Sequence, residues 1–293
     1  MRILVPVDFS EITNATLRTA KRICEAHGGE VILFHAVSPV LYMPHPESLS
    51  VDVIDVKVLQ DIEAKKRKEA EERLRGLQEF LKPVGSRILV EVGDPRDLIL
   101  EAEERENPDI VIIGSHRKGL VERILIGSTA EKVVKHSLRP MIVIKGFEPT
   151  FSRKVVLAYD FSRTAEEMVT FALEFLKPFG VRVEILHVEE RIDIPVVERI
   201  GEAIYAKYRE EKRKYMRSVE GRFREAGLEV SSVFREGEDP AEEIVRRIRE
   251  DGEIDMLLMG SRGLSGLRRV LLGSTSTEVF RKVDIPILIY KGR

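Results

Sequence analysis

Two segments of the chain carry glycines at a spacing that suits the binding of a phosphate group. In the later segment Gly260 and Gly263 are followed, after nine residues, by Gly273 and a helix-like sequence. Glycine lets the backbone approach a ligand closely. The first amides of the helix, in Ser274–Ser276, would then meet the phosphates with a favourable helix dipole. The spacing therefore indicates a phosphate-binding turn.

Other residues near the later glycines suit the rest of a nucleotide. Asp160 follows an apolar strand-like run and offers a carboxylate to a ribose hydroxyl or a metal ion, whereas Val188 and Met259 offer apolar surface to a base. A Walker A lysine does not follow the glycines, and their spacing differs from the GxGxxG dinucleotide fingerprint. These features indicate a nucleotide site that is neither a P-loop nor a dinucleotide site.

The earlier segment repeats the pattern with one change. Gly114 and Gly127 keep the spacing, but Arg117 occupies the position of the second glycine. Its side chain would either block the approach of the backbone to phosphate or pair with phosphate through the guanidinium. A turn shifted onto Lys118 and Gly119 is a third interpretation. We expect binding in the later segment and a weaker, altered or empty site in the earlier one.

The repeat extends over nearly the whole chain. Strand-like and helix-like runs alternate in the same order in both halves, which predicts two tandem α/β domains, at 1–147 and 151–293, each with a five-stranded parallel sheet flanked by helices. Predicted strands lie near 2–7, 31–37, 86–92, 109–114, 141–145, 154–159, 182–188, 229–235, 255–260 and 286–290. Predicted helices lie near 12–27, 55–82, 95–106, 128–137, 164–178, 196–226, 240–250 and 274–283.

Short signals refine these elements. Ile110–Ile113 and Met256–Met259 are continuous apolar runs, as central strands covered on both faces require. Asp94 and Asp239 each precede a proline, which predicts a helix N-cap. The stretch 38–55 contains three prolines and is predicted to be irregular chain beside the site.

The last strand of each half is predicted to be a sheet edge. Pro140 and Pro286 stand at the strand starts, where a missing N–H is tolerated. Apolar edges such as 141–144 and 286–290 invite pairing with another strand. We therefore expect the two halves to join as an intrachain pseudo-dimer. A homodimer through unpaired surface is also consistent with the sequence.

Composition limits the other partners. The chain has 48 basic and 50 acidic residues, a net charge of −2 and 43% hydrophobic residues, so no global field attracts nucleic acid or a membrane. Apolar runs are too short to span a bilayer, and the N-terminus lacks the flanks of a signal peptide. We expect a cytoplasmic protein with neither of these partners.

Several single residues are expected to have structural roles. Cys24, the one cysteine, excludes an internal disulfide and is expected to be a packed core thiol. His35 and His187 end matching strands and are expected to bond to backbone rather than to a ligand. The charged runs 65–69 and 209–214 are expected to be solvated helix faces. The sequence shows no metal-ligand cluster of His, Asp and Glu at useful spacing.

Taken together, these features resemble the universal stress protein family. The resemblance rests on the motif G-x2-G-x9-G-[S/T], the early strand aspartate and five strands per unit, and it covers nearly the whole chain. It implies two tandem Rossmann-like domains of the adenine nucleotide alpha hydrolase type. By analogy with the ATP-binding branch, the expected site in the second half comprises Ala158, Tyr159, Asp160, Val188, Met259, Gly260, Arg262, Gly263, Gly273, Ser274, Thr275 and Ser276. The expected second site comprises Pro6, Val7, Asp8, Ala36, Ile113, Gly114, Arg117, Gly127, Ser128 and Thr129.

Three functions are consistent with this pattern. The first is a regulatory stress-response module that binds ATP or AMP, with or without Mg²⁺, and changes its assembly or partners on binding. The second is a slow ATP hydrolase or a protein that phosphorylates itself at Ser274, Thr275 or Ser276, with Asp160 holding Mg²⁺. The third is an interaction scaffold without nucleotide, against which the complete second motif argues.

Overall fold

One ten-stranded sheet runs through both halves of the chain. The computed structural model describes residues 1–39, 56–115, 127–190, 201–261 and 272–292. The strands are β1 (Arg2–Pro6), β2 (Glu30–Val37), β3 (Gly85–Val92), β4 (Ile110–Ser115), β5 (Met141–Lys145), β6 (Lys154–Ala158), β7 (Arg182–Glu190), β8 (Val230–Gly237), β9 (Ile254–Gly260) and β10 (Ile287–Tyr290). The helices are α1 (Ile12–His27), α2 (Val56–Leu81), α3 (Pro95–Glu106), α4 (Ser128–His136), α5 (Arg163–Leu176), α6 (Glu202–Glu225), α7 (Pro240–Glu250) and α8 (Ser274–Lys282). The α/β fold class predicted from the alternating pattern is confirmed.

The strand order shows two equivalent halves joined at their last strands. The order is β3-β2-β1-β4-β5-β10-β9-β6-β7-β8. Strands within each half pair in parallel, whereas β5 and β10 are antiparallel, with Ile142 opposite Leu288. The predicted intrachain pairing of the two halves is confirmed. Because each of these edges covers the other, a homodimer would need a different surface.

Helices cover both faces of the sheet, and each apolar layer continues across the junction. Along β5, Ile142 and Ile144 belong to the cluster formed with α1, α2, α5 and α6, whereas Met141 and Val143 belong to the cluster formed with α3, α4, α7 and α8. Each cluster contains buried residues from both halves. Strands β4 and β9 lie inside the sheet, as their continuous apolar runs predict. The two halves therefore share their cores.

The N-caps predicted at Asp94 and Asp239 are confirmed. Of the predicted helix 196–226, residues 196–200 lie outside the described residues, and the helix begins at Glu202, after Gly201. One predicted helix end is also corrected. The carboxylate of Asp94 accepts a hydrogen bond from the amide of Arg96, and that of Asp239 from the amide of Ala241, both at 2.8 Å. Helix α5 ends before residue 178 and passes into a 3₁₀ turn. The reason is that Pro178 has no N–H to donate to the carbonyl one turn earlier. The predicted irregular stretch 38–55 lies outside the described residues from residue 40 onward.

The connection between the halves is attached to both of them. Arg18 of α1 pairs with Glu148 at 2.5 Å, and Arg22 donates to the carbonyl oxygen of Thr150 at 2.7 Å. From the second half, Asp255 accepts hydrogen bonds from the amide and the hydroxyl of Thr150, each at 2.9 Å. These contacts fix the connection against α1 and β9.

Two further predictions concern the helices. Cys24 of α1 is buried, and this burial raises the pKa of its thiol to about 11, so the group is a packed thiol and not a thiolate at neutral pH. This confirms the predicted structural role.

In the part of the chain that the structure describes, each helix is too short or too polar to cross a bilayer.

A buried charge network joins β6, β7 and α7 of the second half. Arg247 donates to the two carboxylate oxygens of Glu184 at 2.7 and 2.5 Å and to Asp251 at 2.8 Å. Lys154 donates to Asp251 at 2.7 Å. Only 3% of the Glu184 side chain is exposed. The charge of Glu184 is therefore stabilised by protein partners rather than by water.

This network predicts a loss of stability in acid. The hydrogen bonds from Lys154 and Arg247 hold the pKa of Asp251 well below its usual range. Because the folded pKa lies below the unfolded value of about 3.9, the ionised carboxylate stabilises the fold above about pH 4, and this contribution is lost as the pH falls further. At neutral pH the wild type should have a larger free energy of unfolding than Asp251→Asn, and this difference should start to narrow below about pH 4 and keep narrowing as the pH falls toward the folded pKa of Asp251. A difference that does not change with pH would contradict this assignment.

Candidate functional site

Each half has a topological switch point, here called its crevice, at the carboxyl ends of its parallel strands. In the first half, β1 lies between β2 and β4, and in the second half β6 lies between β7 and β9. The chain therefore adds strands first on one side of β1 or β6 and later on the other side. Ligands of open parallel sheets bind at such switch points. In the second half, Ala158 and Met259 are paired where β6 and β9 end. The predicted residues therefore border the crevice that the topology favours.

A strained turn holds the aspartate at the end of β6. The carboxylate of Asp160 accepts a hydrogen bond from the amide of Ser162 at 3.0 Å. Between them Phe161 has φ of 62°, in the left-handed region. Such a conformation costs about 1–3 kcal/mol for a residue other than glycine. The centroid of the Phe161 ring lies 4.9 Å from that of Tyr159 and 4.7 Å from that of His187. This packing offsets the cost of the turn and fixes the carboxylate of Asp160.

The first half has the same turn after β1. Asp8 accepts hydrogen bonds from the amide and the hydroxyl of Ser10 at 3.1 and 2.5 Å, and Phe9 has φ of 60°. The Phe9 ring lies 4.6 Å from the ring of His35 and 3.8 Å from the guanidinium of Arg73. Both predicted aspartates therefore have the same backbone support.

The two histidines bond to backbone, as predicted. Nδ1 of His187 lies 2.9 Å from the carbonyl oxygen of Tyr159, and Nδ1 of His35 lies 2.7 Å from that of Val7. Because a carbonyl only accepts, each Nδ1 carries the hydrogen. Burial lowers the pKa of His187, so its ring is neutral at pH 7 and Nε2 accepts from the ammonium of Lys212 at 3.5 Å. These rings support the aspartate turns.

Several residues of the predicted sites are partly or fully buried, so their side chains have little surface with which to contact a ligand. Tyr159 is buried and its hydroxyl donates to Glu166. Met259 is 3% exposed and lies in the core, so it leaves little apolar surface for a base. Ala158 and Val188 are half-buried and retain such surface. In the first half, Val7 and Ile113 are buried, whereas Pro6 and Ala36 are half-buried.

The start of α8 leaves its first amides open to an anion. Gly273 precedes the helix, its amide donates to the carbonyl of Ser261 at 2.7 Å, and no described side chain caps the helix. Ser274 is exposed and Thr275 is half-buried. The hydroxyl of Ser276 is buried and donates to the carbonyl of Gly260 at 2.8 Å. It therefore ties the helix to β9 and is not directed to a ligand as the sequence suggested.

The first half lacks this tie. Helix α4 starts after Gly127 without a cap from any described side chain, with Ser128 exposed and Thr129 half-buried. Ala130 stands at the position of Ser276 and has no hydroxyl to bond to Gly114. A β-carbon on Gly114 would lie 2.4 Å from a methyl carbon of Ile12, so packing against α1 requires this glycine. The earlier glycine pattern thus has a partly structural cause.

Three of the predicted site residues cannot be placed. Arg117 in the first half, with the alternative turn at Lys118 and Gly119, lies outside the described residues, as do Arg262 and Gly263 in the second half. Their roles remain predictions from the sequence.

Two basic side chains near the second crevice were not predicted. Arg209 and Lys212 belong to the charged run of α6 that was interpreted as a solvated face, yet each lies 3.3 Å from a carboxylate oxygen of the buried Glu189. For these two residues the interpretation is wrong. Met216, one turn later, is fully buried. Positions 209, 212 and 216 are spaced at the helical period, so they share one face of α6. This spacing is the sequence signal that Arg209 and Lys212 face the protein with Met216.

A cavity of about 600 Å³ lies between the halves and borders the first-half site at Ile12 and Ser115, but its lining contains none of the residues predicted for the second-half site. Its lining includes Arg18, Phe147, Glu148, Arg153 and Asp255. Because Arg18 pairs with Glu148 and the lining carries both signs of charge, it shows no preference for a phosphate. We therefore place the candidate site at the switch point, where the topology and the aspartate turn coincide.

Three carboxylates meet at the surface of the second half. Oxygens of Asp239, Glu242 and Glu278 lie within 4.8 Å of one another. The ammonium of Lys282 donates to Glu242 and, at 2.5 Å, to Glu278, which raises the pKa of Lys282. An ammonium group therefore already pairs with two of these three acids.

Comparison with known proteins adds the family to this geometry. The model of the Universal stress protein family matches residues 1–145 and again residues 152–291. The chain belongs to the universal stress protein family. Within it, this tandem member is 32% identical over 152 residues to a universal stress protein of Methanocaldococcus jannaschii, covering 49% of this chain and 94% of that protein. It is 24% identical over 295 residues to a universal stress protein of Mycolicibacterium smegmatis, covering 99% of this chain and 97% of that protein.

A solved structure supports the tandem arrangement. The crystal structure of a universal stress protein from Archaeoglobus fulgidus has a TM-score of 0.67 and 24% identity, covering 99% of this chain and 96% of that chain. This likeness extends over both Rossmann-like domains. The predicted membership in the universal stress protein family and the tandem fold are therefore confirmed.

Proposed function

We propose that this universal stress protein is a cytoplasmic, regulatory binding module for ATP or a related adenine nucleotide such as AMP. The units 1–147 and 151–293 carry one candidate site each, and the second unit is the main site. The observation that carries the proposal is the convergence of the fixed Asp160 carboxylate and the uncapped start of α8 at the β6–β9 switch point.

Each part of the second site has a defined task in this proposal. Asp160 accepts a hydrogen bond from a ribose hydroxyl, and the half-buried Val188 contacts the adenine ring. The amides of Ser274–Ser276 bind the phosphates at the positive end of the helix dipole. Gly260 and Gly263 let the loop backbone approach the same phosphates.

Mg²⁺ would accompany a triphosphate in this site. Magnesium is commonly held by one or two carboxylates, water and the phosphates of the ligand itself. Asp160 supplies a carboxylate at the crevice, so the residues present fit this mode of binding. The ion would reduce the repulsion between the phosphates and the acidic side chain.

The first half is proposed to bind nucleotide more weakly. Arg117 replaces the second glycine of the motif, and Ala130 replaces the serine whose hydroxyl ties α8 to β9. The start of α4 is therefore less firmly attached to its strand than the start of α8. Weaker preorganisation lowers affinity because the ligand must order the loop.

The test compares Asp160→Ala with Asp8→Ala, which disrupts the equivalent turn of the other half. Removal of Asp160 should weaken Mg-ATP binding about 10- to 100-fold, as expected for loss of a charged hydrogen bond of about 1.5–3 kcal/mol. Asp8→Ala should change the affinity of the main site less than about twofold. Calorimetric titration gives both the affinity and the number of sites, which we expect to be about one per chain.

Different outcomes contradict different parts of the proposal. If the wild type neither retains nor binds an adenine nucleotide, the scaffold function is favoured. If Asp8→Ala abolishes binding and Asp160→Ala does not, the assignment of the main site to the second half is wrong. Because both variants lose the same backbone contact to a serine, a shared folding defect would appear in both circular dichroism spectra.

A further inference from the structure

A buried lysine from each half reaches the last turn of a helix in the other half. Nζ of Lys145, at the end of β5, donates to the carbonyl of Phe280 in the last turn of α8 and, at 3.1 Å, to that of Val283, which follows the helix. Nζ of Lys291, just after β10, donates to the carbonyl of Val134 in α4. The two lysines are only 2% and 7% exposed. Because β5 and β10 are antiparallel, the two contacts are related by the same pseudo-twofold symmetry as the halves.

The chemistry of these contacts suits a helix end. The last carbonyls of a helix have no partner within the helix and form the negative end of its dipole. A buried ammonium group in turn requires acceptors to replace water. The Phe280 ring, 4.4 Å from Nζ of Lys145, adds a further favourable contact. The lysines therefore anchor the carboxyl ends of α4 and α8.

A second contact links the same two helices to each other. Arg281 of α8 donates to Glu131 of α4 at 2.7 Å, across the boundary between the halves. This hydrogen bond and that from Lys135 hold the pKa of Glu131 below its usual range. The two helices are thus held by residues of the opposite half at more than one point.

Helices α4 and α8 are also the helices whose first amides border the two crevices. Each has nine residues, so its two ends are about 13 Å apart. A short helix anchored at its carboxyl end holds its first amides in a fixed place, and such preorganisation determines how well those amides bind a phosphate. A shift of the carboxyl end would move the amino end with it.

We infer that Lys145 is a positioning residue for the nucleotide site of the second half and Lys291 for that of the first, so that each site is completed by the other half of the chain. This inference rests on the proposed function. It also predicts that nucleotide bound at α8 is sensed in β5 of the first half, because Lys145 joins the two elements.

The test uses Lys145→Met, which keeps the length and apolar stem of the side chain but removes its donors. Mg-ATP binding to the full chain should become about tenfold weaker, since α8 is no longer held in place. Amides of α8 should exchange hydrogen faster without nucleotide, whereas those of α4 should not change. Lys291→Met should have the reverse effect on exchange, faster in α4 and unchanged in α8.

A control separates positioning from general stability. Leu74 is fully buried in α2 of the first half, and Leu74→Ala lowers stability without touching α8. At a temperature where all variants are folded, Leu74→Ala should bind Mg-ATP within about twofold of the wild type. If Leu74→Ala weakens binding as much as Lys145→Met does, Lys145 acts only through stability and the inference is overturned.

A measurement on the wild type covers the case in which Lys145→Met does not fold. Mg-ATP at a concentration that fills the main site but not the weaker first-half site should slow hydrogen exchange in α8 and also in 141–145 of the first half. Protection confined to the second half would overturn the inference while leaving the proposed function intact. Equal affinities of the wild type and a folded Lys145→Met would do the same. A wild type that binds no Mg-ATP would overturn both.

Discussion

Replacing Arg247 by methionine is expected to lower the free energy of unfolding by about 3–5 kcal/mol. Arg247 donates two hydrogen bonds to the buried carboxylate of Glu184, and its removal leaves that charge without its main partner. Lys154 lies 3.7 Å from the same carboxylate, which places the loss toward the lower end of this range. Denaturant unfolding of both proteins, monitored by far-ultraviolet circular dichroism, measures the difference.

Two variants test the cause of this loss. Arg249 lies on the same helix, is exposed and makes no ion pair within the described part of the chain, so Arg249→Met should change stability by less than about 0.5 kcal/mol. The double variant Glu184→Leu, Arg247→Met should recover much of the stability, because it removes the buried charge together with its partner. A double variant no more stable than Arg247→Met would show that packing, not the unpaired charge, causes the loss.

The order of strands and helices could be predicted because strands and helices are each indicated by short, local runs of residues. Continuous apolar runs such as Ile110–Ile113 identify strands covered on both faces, and Asp94 before a proline marks the first turn of a helix. The pairing of the two halves was predictable because an apolar edge must be covered. The antiparallel direction of that pairing depends on how the two sheets meet, which no local run of residues specifies.

The direction of charged side chains was less predictable. Arg209 and Lys212 occur in a charged run that is typical of a solvated face, yet they contact Glu189, which belongs to the neighbouring strand β7. Lys145 ends an apolar strand and is buried, with carbonyls of the other half accepting hydrogen bonds from its ammonium. In each case the partner that makes burial favourable lies on another element of the fold, which the local run of residues itself does not reveal.

The candidate site shows the same division. Asp8 and Asp160 could be predicted because they stand just after strand-like runs. The left-handed conformation of Phe9 and Phe161, which supports them, could not be predicted, since phenylalanine rarely adopts that conformation. Gly114 was interpreted as a glycine for close approach to phosphate, and the structure shows that it also makes room for Ile12. A glycine required by packing and one required by a ligand are identical in sequence, so only the surroundings separate them.

The second large effect concerns the junction between the halves. Leu288 is fully buried in β10 opposite Ile142 of β5, in an apolar cluster that extends through both halves. Leu288→Ala should lower the free energy of unfolding by about 2–5 kcal/mol through lost contacts and the cavity that remains. Because the halves share both apolar layers, we expect one transition, with peptides from both halves unfolding at the same denaturant concentration in hydrogen-exchange mass spectrometry.

Leu74→Ala is the matched change far from the junction. Leu74 is also fully buried, but it lies in α2 of the first half. If the halves form one cooperative unit, this variant should lower the midpoint for peptides of the second half as much as for those of the first. If the second half keeps the wild-type midpoint while the first half unfolds earlier, the halves are independent. The β5–β10 pairing would then join two separately stable domains, and a substitution in one domain would leave the stability of the other unchanged.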